Sequence, residues 1–108
     1  MLRIAETAQI SPMAHVEESK RGTVITIEDN VYIDSFVRIR PVGGDGNVRI
    51  GRNSFINAGT VIFSGNGVDI GEWVLIAPNC TLAPTNHAYQ SRESTIRHQG
   101  FLPSKGGI

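Results

Sequence analysis

The stretch Ile27-Glu28-Asp29-Asn30-Val31-Tyr32-Ile33-Asp34-Ser35-Phe36-Val37-Arg38-Ile39 decides how this chain folds. Isoleucine recurs every six residues, and a valine stands four places after each of the first two isoleucines. A period of six fits neither the 3.6 of an α-helix nor the two-residue alternation of a simple strand, because it adds a turn to each short strand. Each hexapeptide then forms one side of a triangle, and three sides close a coil of about 18 residues. Aliphatic side chains at equivalent places point inward and stack on those of the neighbouring coils. The expected architecture is an all-β solenoid of hexapeptide repeats, a parallel β-helix with aliphatic ladders for a core.

The pattern extends in both directions. Ile4, Ile10 and Val16 precede the central block, and Ile50, Ile56, Ile62 and then Ile70, Ile76, Leu82 follow it. The second signature also recurs, as Ala8 and Ala14, Ser54 and Thr60, and Val74 and Cys80. Ile27, Ile33, Ile39, Ile50, Ile56, Ile70, Ile76 and Leu82 are therefore all expected to be buried in stacked rows. Successive blocks begin 23, 23 and 20 residues apart, so relative to an 18-residue coil they carry insertions of 5, 5 and 2 residues. The insertions hold Ser19-Lys20-Arg21-Gly22, Gly43-Gly44-Asp45-Gly46-Asn47 and Ser64-Gly65-Asn66-Gly67, which are turn formers. They have neither the spaced glycines nor the lysine of a phosphate-binding loop, and no helix follows them. Gly51 and Gly71, each directly after a repeat isoleucine, are expected to supply tight corners.

A chain of 108 residues allows one domain, residues 1–108 in about four coils, with a thin core that buries roughly 60–65% of the unfolded surface. Ten basic residues balance ten acidic ones, and no basic run exceeds Lys20-Arg21, which argues against nucleic acid or anionic lipid as a partner. The N-terminus lacks a charged segment followed by an apolar one, and no stretch approaches the roughly 18 apolar residues of a membrane span. A cytoplasmic location is expected. Cys80, the one cysteine, has no internal partner and sits at a small inward position, where it reads as packing. On a chain that is not exported, the sequon Asn79-Cys80-Thr81 is incidental. Trp73 falls just before an inward position and is expected to point outward, into a subunit contact. Arg38 and Arg40 lie on a strand and beside a corner as solvated charges. Residues 83–107 carry no repeat and form an excursion loop, after which Ile108 stands where the first aliphatic of another coil is expected, equivalent to Ile70.

The runs Ile70-Gly71-Glu72-Trp73-Val74-Leu75-Ile76-Ala77-Pro78-Asn79-Cys80-Thr81-Leu82 and Ala83-Pro84-Thr85-Asn86-His87 resemble hexapeptide-repeat acyltransferases, above all galactoside and maltose O-acetyltransferases. The resemblance covers about residues 25 to 108. It implies a left-handed β-helix, an exception to the right-handed crossover rule. It also implies a homotrimer with active sites between subunits, acetyl-CoA as acyl donor, no metal, and a hydroxyl of a sugar or glycan precursor as acceptor. His87 takes the position of the general base, a task that suits an imidazole titrating near neutrality. Asn57 matches an asparagine that holds the acceptor and the tetrahedral intermediate; a β-helix corner, capped by the side-chain amide, would equally explain it. Asn86 and Tyr89 flank the base as acceptor contacts, although the polarity of a loop accounts for both. The family places the oxyanion donor and most of the CoA site in coils after the position of Ile108, so a C-terminal truncation is expected. Two other functions fit the same fold. One is a non-catalytic scaffold, and the other is a zinc carbonic anhydrase with three histidine ligands, for which this chain offers only His15, His87 and His98.

Overall fold

The structure, a computed structural model, describes residues 1–85 and 107–108. Short strands follow one another at the spacing of the hexapeptides: β1 (Leu2–Ile4), β2 (Gln9–Ile10), β3 (His15–Val16), β4 (Ile25–Ile27), β5 (Tyr32–Ile33), β6 (Arg38–Arg40), β7 (Val48–Ile50), β8 (Phe55–Ile56), β9 (Val61–Phe63), β10 (Val68–Ile70), β11 (Leu75–Ile76) and β12 (Thr81–Leu82). Every third strand pairs in parallel. The first sheet is β1-β4-β7-β10, the second β2-β5-β8-β11 and the third β3-β6-β9-β12. The chain is a parallel β-helix of about four coils with no α-helix among the described residues. No helix there is long and apolar enough to cross a membrane.

Register carries the core. Ile4, Ile27, Ile50 and Ile70 face one another along the first sheet. Ile10, Ile33, Ile56 and Ile76 do so along the second, and Val16, Ile39, Ile62 and Leu82 along the third. A fourth ladder, Leu2–Ile25–Val48–Val68, runs two residues upstream of the first and thickens the first sheet's contribution. The residues of the two middle coils and Ile70 are buried as expected. Ile76 and Leu82 are stacked but only half-buried, and Ile4 is 43% exposed. A ladder of finite length leaves its end rungs covered on one side only, and among the described residues nothing packs on the outer side of these three.

The corners differ from expectation. In the last three coils, left-handed backbone falls on the third residue after the inward isoleucines of the first and second sheets, at Asn30, Phe36, Asn53, Gly59, Trp73 and Asn79, and not on Gly51 or Gly71. Asparagine and glycine tolerate this conformation, whereas a bulky side chain there costs about 1–2 kcal/mol. Phe36 and Trp73 are thus out of keeping with their equivalents in other coils. Gly51 is needed for a different reason: a Cβ on it would stand 2.5 Å from the carbonyl oxygen of Gly71 in the next coil. The residue after each left-handed corner turns inward and is small. Ser54 and Thr60 are buried there, and each hydroxyl bridges two coils. Ser54 Oγ donates to Gly71 O at 2.8 Å and accepts from Val74 N at 3.0 Å. Thr60 Oγ1 donates to Ala77 O at 3.0 Å and accepts from Cys80 N at 3.3 Å.

All three insertions emerge at the edge between the third and first sheets. They stack on one another there, and a Cβ on Gly44 would stand 2.5 Å from Gly65 O. Arg21 Nη2 clamps the next loop by donating to Pro41 O at 3.2 Å and Gly44 O at 3.0 Å. Asn47 Oδ1 accepts from Val24 N at 2.9 Å. The glycines serve loop-on-loop packing. At the same edge Ile108 N donates to Gly67 O at 2.8 Å and Ile108 O accepts from Asp69 N. That pattern aligns Ile108 with Val68, two residues before the position expected from the count, so it extends the fourth ladder and not the row of Ile70.

Ile56 occupies the middle of a fully covered row, so Ile56→Ala should destabilise the fold by about 2–5 kcal/mol in urea unfolding. Ile76→Ala, on a half-covered rung, should cost clearly less, and equal losses would contradict the account of the ends.

Candidate functional site

Asn57 follows β8 at the edge between the second and third sheets. Its backbone N–H donates to Ile76 O at 3.1 Å, and its side-chain Nδ2 donates to the same oxygen at 2.6 Å. The half-buried amide therefore caps a corner of the adjoining coil, which is the structural alternative of the two roles the sequence allows. Two residues on, Gly59 has φ +77, and the Oδ1 of Asn79 fills the space that a Cβ on Gly59 would need. Cys80 stacks above Thr60, half-buried, with Sγ 4.0 Å from Pro78 O, in keeping with a packing residue.

The segment that carries the candidate base leaves from a different edge. After β12, Ala83–Thr85 turn along the stacked glycine loops. Pro84 O accepts from Asn66 N at 3.2 Å, and Thr85 N donates to Ala83 O at 2.8 Å. The Thr85 side chain packs against Gly43 and Gly65. His87, Asn86 and Tyr89 lie outside the described residues, as does His98. Asn57 thus stands on the edge between the second and third sheets, and the root of the His87 segment on the edge between the third and first. Within the described residues nothing joins them into one constellation.

Charge is gathered on two outer faces. Along the first sheet Arg3, Thr26, Arg49 and Asp69 are in register. Arg49 Nη1 donates to Asp69 at 2.8 Å and Arg49 Nε to Glu28 at 3.1 Å. These hydrogen bonds, that to Asp69 first, raise the guanidinium pKa above its ordinary value. Arg52 pairs with Glu72 at 3.2 Å. An open groove of about 610 Å³ follows this face, but its charges of both signs largely satisfy one another. On the third sheet Glu17 accepts from Arg40 at 3.2 Å and lies 3.5 Å from Arg38, so these arginines are paired as well as partly solvated. Arg40 also lies 5.9 Å over the ring of Phe63. His15 is exposed, in register with Arg38. No group of three metal-binding side chains occurs among the described residues.

The outer face of the second sheet is different. Gln9, Tyr32, Phe55 and Leu75 form its outward column, and the rings of Tyr32 and Phe55 stack with centroids 4.5 Å apart. Sequence reading concentrated on inward positions and missed this stripe. Its signal was present, since each member directly precedes an inward isoleucine at the same coil spacing.

No protein-family profile, curated protein or solved structure matches this chain.

At the Asn57 corner, Gly59→Ala should cost more than Asn57→Ala. The first forces a left-handed alanine onto Asn79, whereas the second removes one hydrogen bond, a loss of about 1 kcal/mol. Chemical denaturation of the two variants in parallel would check the order, and the reverse order would count against the cap geometry.

Proposed function

We propose that this protein is a cytoplasmic O-acetyltransferase that moves an acetyl group from acetyl-CoA to a hydroxyl of a sugar or glycan precursor. The observation that supports it is the form taken by the motif Ile70–Leu82. Its residues run from the end of β10 through β11 to β12, two sides of the last coil, with Val74, Ile76 and Leu82 packed against the core, and its last strand runs directly into the Ala83–Thr85 turn ahead of His87. A rigid coil followed at once by a histidine-bearing segment is the arrangement on which the likeness to hexapeptide-repeat acyltransferases rests. In this reading His87 withdraws the proton from the acceptor hydroxyl as its oxygen attacks the thioester carbonyl. The C–O bond forms, the C–S bond breaks, and CoA leaves as a thiol once it has taken up a proton. Asn86 and Tyr89 contact the acceptor, and no metal takes part. The same likeness implies a homotrimer with sites shared between copies.

One observation favours the scaffold reading for part of this site. The Nδ2 of Asn57 is committed to Ile76 O, so holding an acceptor falls to its Oδ1 or to a rearranged side chain.

Release of CoA thiol from acetyl-CoA in the presence of sugar acceptors tests the reading. His87→Ala should lower kcat by about 10² or more with little change in acetyl-CoA affinity, and Asn57→Ala should lower it less. The acidic limb of the pH profile, expected where an imidazole gains its proton, should vanish in the His87 variant and persist in His98→Ala. A His87→Ala protein that transfers acetyl at nearly the full rate would remove the base, and a wild-type chain that releases no CoA would leave the scaffold.

A further inference from the structure

We propose that Asn66-Gly67 is a deamidation site held shut by the fold, and that its conversion to isoaspartate releases both ends of the segment that contains His87.

Chemistry singles out this dipeptide. Asn66 is the one asparagine of the chain followed by glycine. Glycine has no Cβ, so its amide nitrogen is unscreened and its backbone turns readily toward the preceding side chain. The reaction balances with water alone. The nitrogen of Gly67 gives up its proton to solvent and attacks Cγ of Asn66. The N–Cγ bond forms, the Cγ–Nδ2 bond breaks, and Nδ2 leaves as ammonia with a proton taken back from solvent. Water then opens the resulting succinimide at either carbonyl. One opening gives an aspartyl residue with the original backbone, and the other gives an isoaspartyl residue whose main chain is one carbon longer.

The fold opposes the first step. Gly67 N donates to Ser64 O at 2.7 Å, so the attacking nitrogen is engaged. The Asn66-Gly67 peptide also lies between two other glycines: a Cβ on Gly46 would fall on Gly67 N, and a Cβ on Gly107 would fall on Gly67 O. A peptide group turns as a rigid plane, so Gly67 N cannot swing toward the side chain without striking one of these neighbours. Asn66 Oδ1 lies against Gly44, where an added Cβ would stand 3.1 Å away. Attack therefore waits for a local opening, and its rate follows the population of opened chains.

The same dipeptide is a clasp. Asn66 N donates to Pro84 O at 3.2 Å, on the approach to residues 86–106, and Gly67 O accepts from Ile108 N at 2.8 Å, just after them. Asp69 N donates to Ile108 O as a second tie. Departure and return of the excursion are thus fastened to adjacent residues. An extra backbone carbon between Asn66 and Gly67 displaces the Gly67 carbonyl, and the close passage of Gly46 and Gly107 leaves no room to absorb it. Pro84 and Ile108 cannot then both keep their partners. The aspartyl product retains the original spacing and with it the clasp. The inference rests on the fold and not on the acetyl transfer proposed above.

Peptide mapping by mass spectrometry of the full chain, aged in mildly alkaline buffer, tests the site. The mass gain of an amide-to-acid exchange at Asn66 separates it from isomerisation at Asp45-Gly46, which leaves the mass unchanged. Deamidation of Asn66 should be slower by more than about tenfold in the folded chain than in the same chain in urea. Ile108→Pro, which removes the donor to Gly67 O, should raise the rate severalfold in the folded chain and leave the rate in urea as it was. In aged protein enriched in isoaspartate, the amides of Asp69 and Ile108 should exchange hydrogen faster than in fresh protein, whereas Asn66→Asp should leave them protected. Equal rates in the folded chain and in urea would overturn the shielding, as would an Ile108→Pro rate equal to that of the wild type. Isoaspartyl protein in which both amides stay protected would overturn the clasp.

Discussion

Everything in this protein depends on the stacking of one coil on the next in a single register. A short strand of two or three residues has too few hydrogen bonds to persist alone, and a single coil cannot bury its aliphatic residues. Each becomes stable only when an equivalent strand lies against it with its isoleucine directly over the neighbour's. The backbone pairing fixes the vertical spacing and the ladders fix the lateral one. Buried Ser54 and Thr60 belong to the same system, since their hydroxyls join carbonyl and amide groups at corners where the strand pairing lapses.

That constraint explains which parts of the fold are legible in the sequence. A side chain that must face its equivalents leaves a strict period, so the rows of Ile4, Ile10 and Val16 can be followed along the chain with their insertions subtracted. The row of Leu2, Ile25, Val48 and Val68 is the first-sheet member of the same upstream series as Val31 and Val37, but each insertion separates it from the preceding inward aliphatic, so counting four places on from that aliphatic passes over it. Corners are harder to read. Glycine after isoleucine suggests a turn, yet the left-handed residue lies two places later, and Gly51 answers to the close passage of Gly71. Nothing in a period reveals where a row ends, which is why Ile76 and Leu82 are stacked yet only half covered.

The site was less legible than the fold, for a physical reason. Ladders are set by local repetition, whereas a catalytic group acts through neighbours that repetition does not specify. Asn57 is recognisable as a residue with a task, and its geometry adds that its amide is already bound to Ile76 O. The exposed stripe of Tyr32, Phe55 and Leu75 shows the complementary case. Outward positions are free of the core's demands, so what stands there reflects the surroundings of the molecule more than its folding.

The placement of all three insertions on one edge has an evolutionary side. Two of the three edges keep strict spacing, so an added residue there would shift every inward side chain downstream of it. At the third edge the coils already differ by three residues in length, 23 against 20, with no loss of register. Loop closure entropy grows only slowly with length, so that seam can accept new segments at small energetic expense. A lineage of such chains can therefore diversify along one line of its surface while the prism behind it stays unchanged.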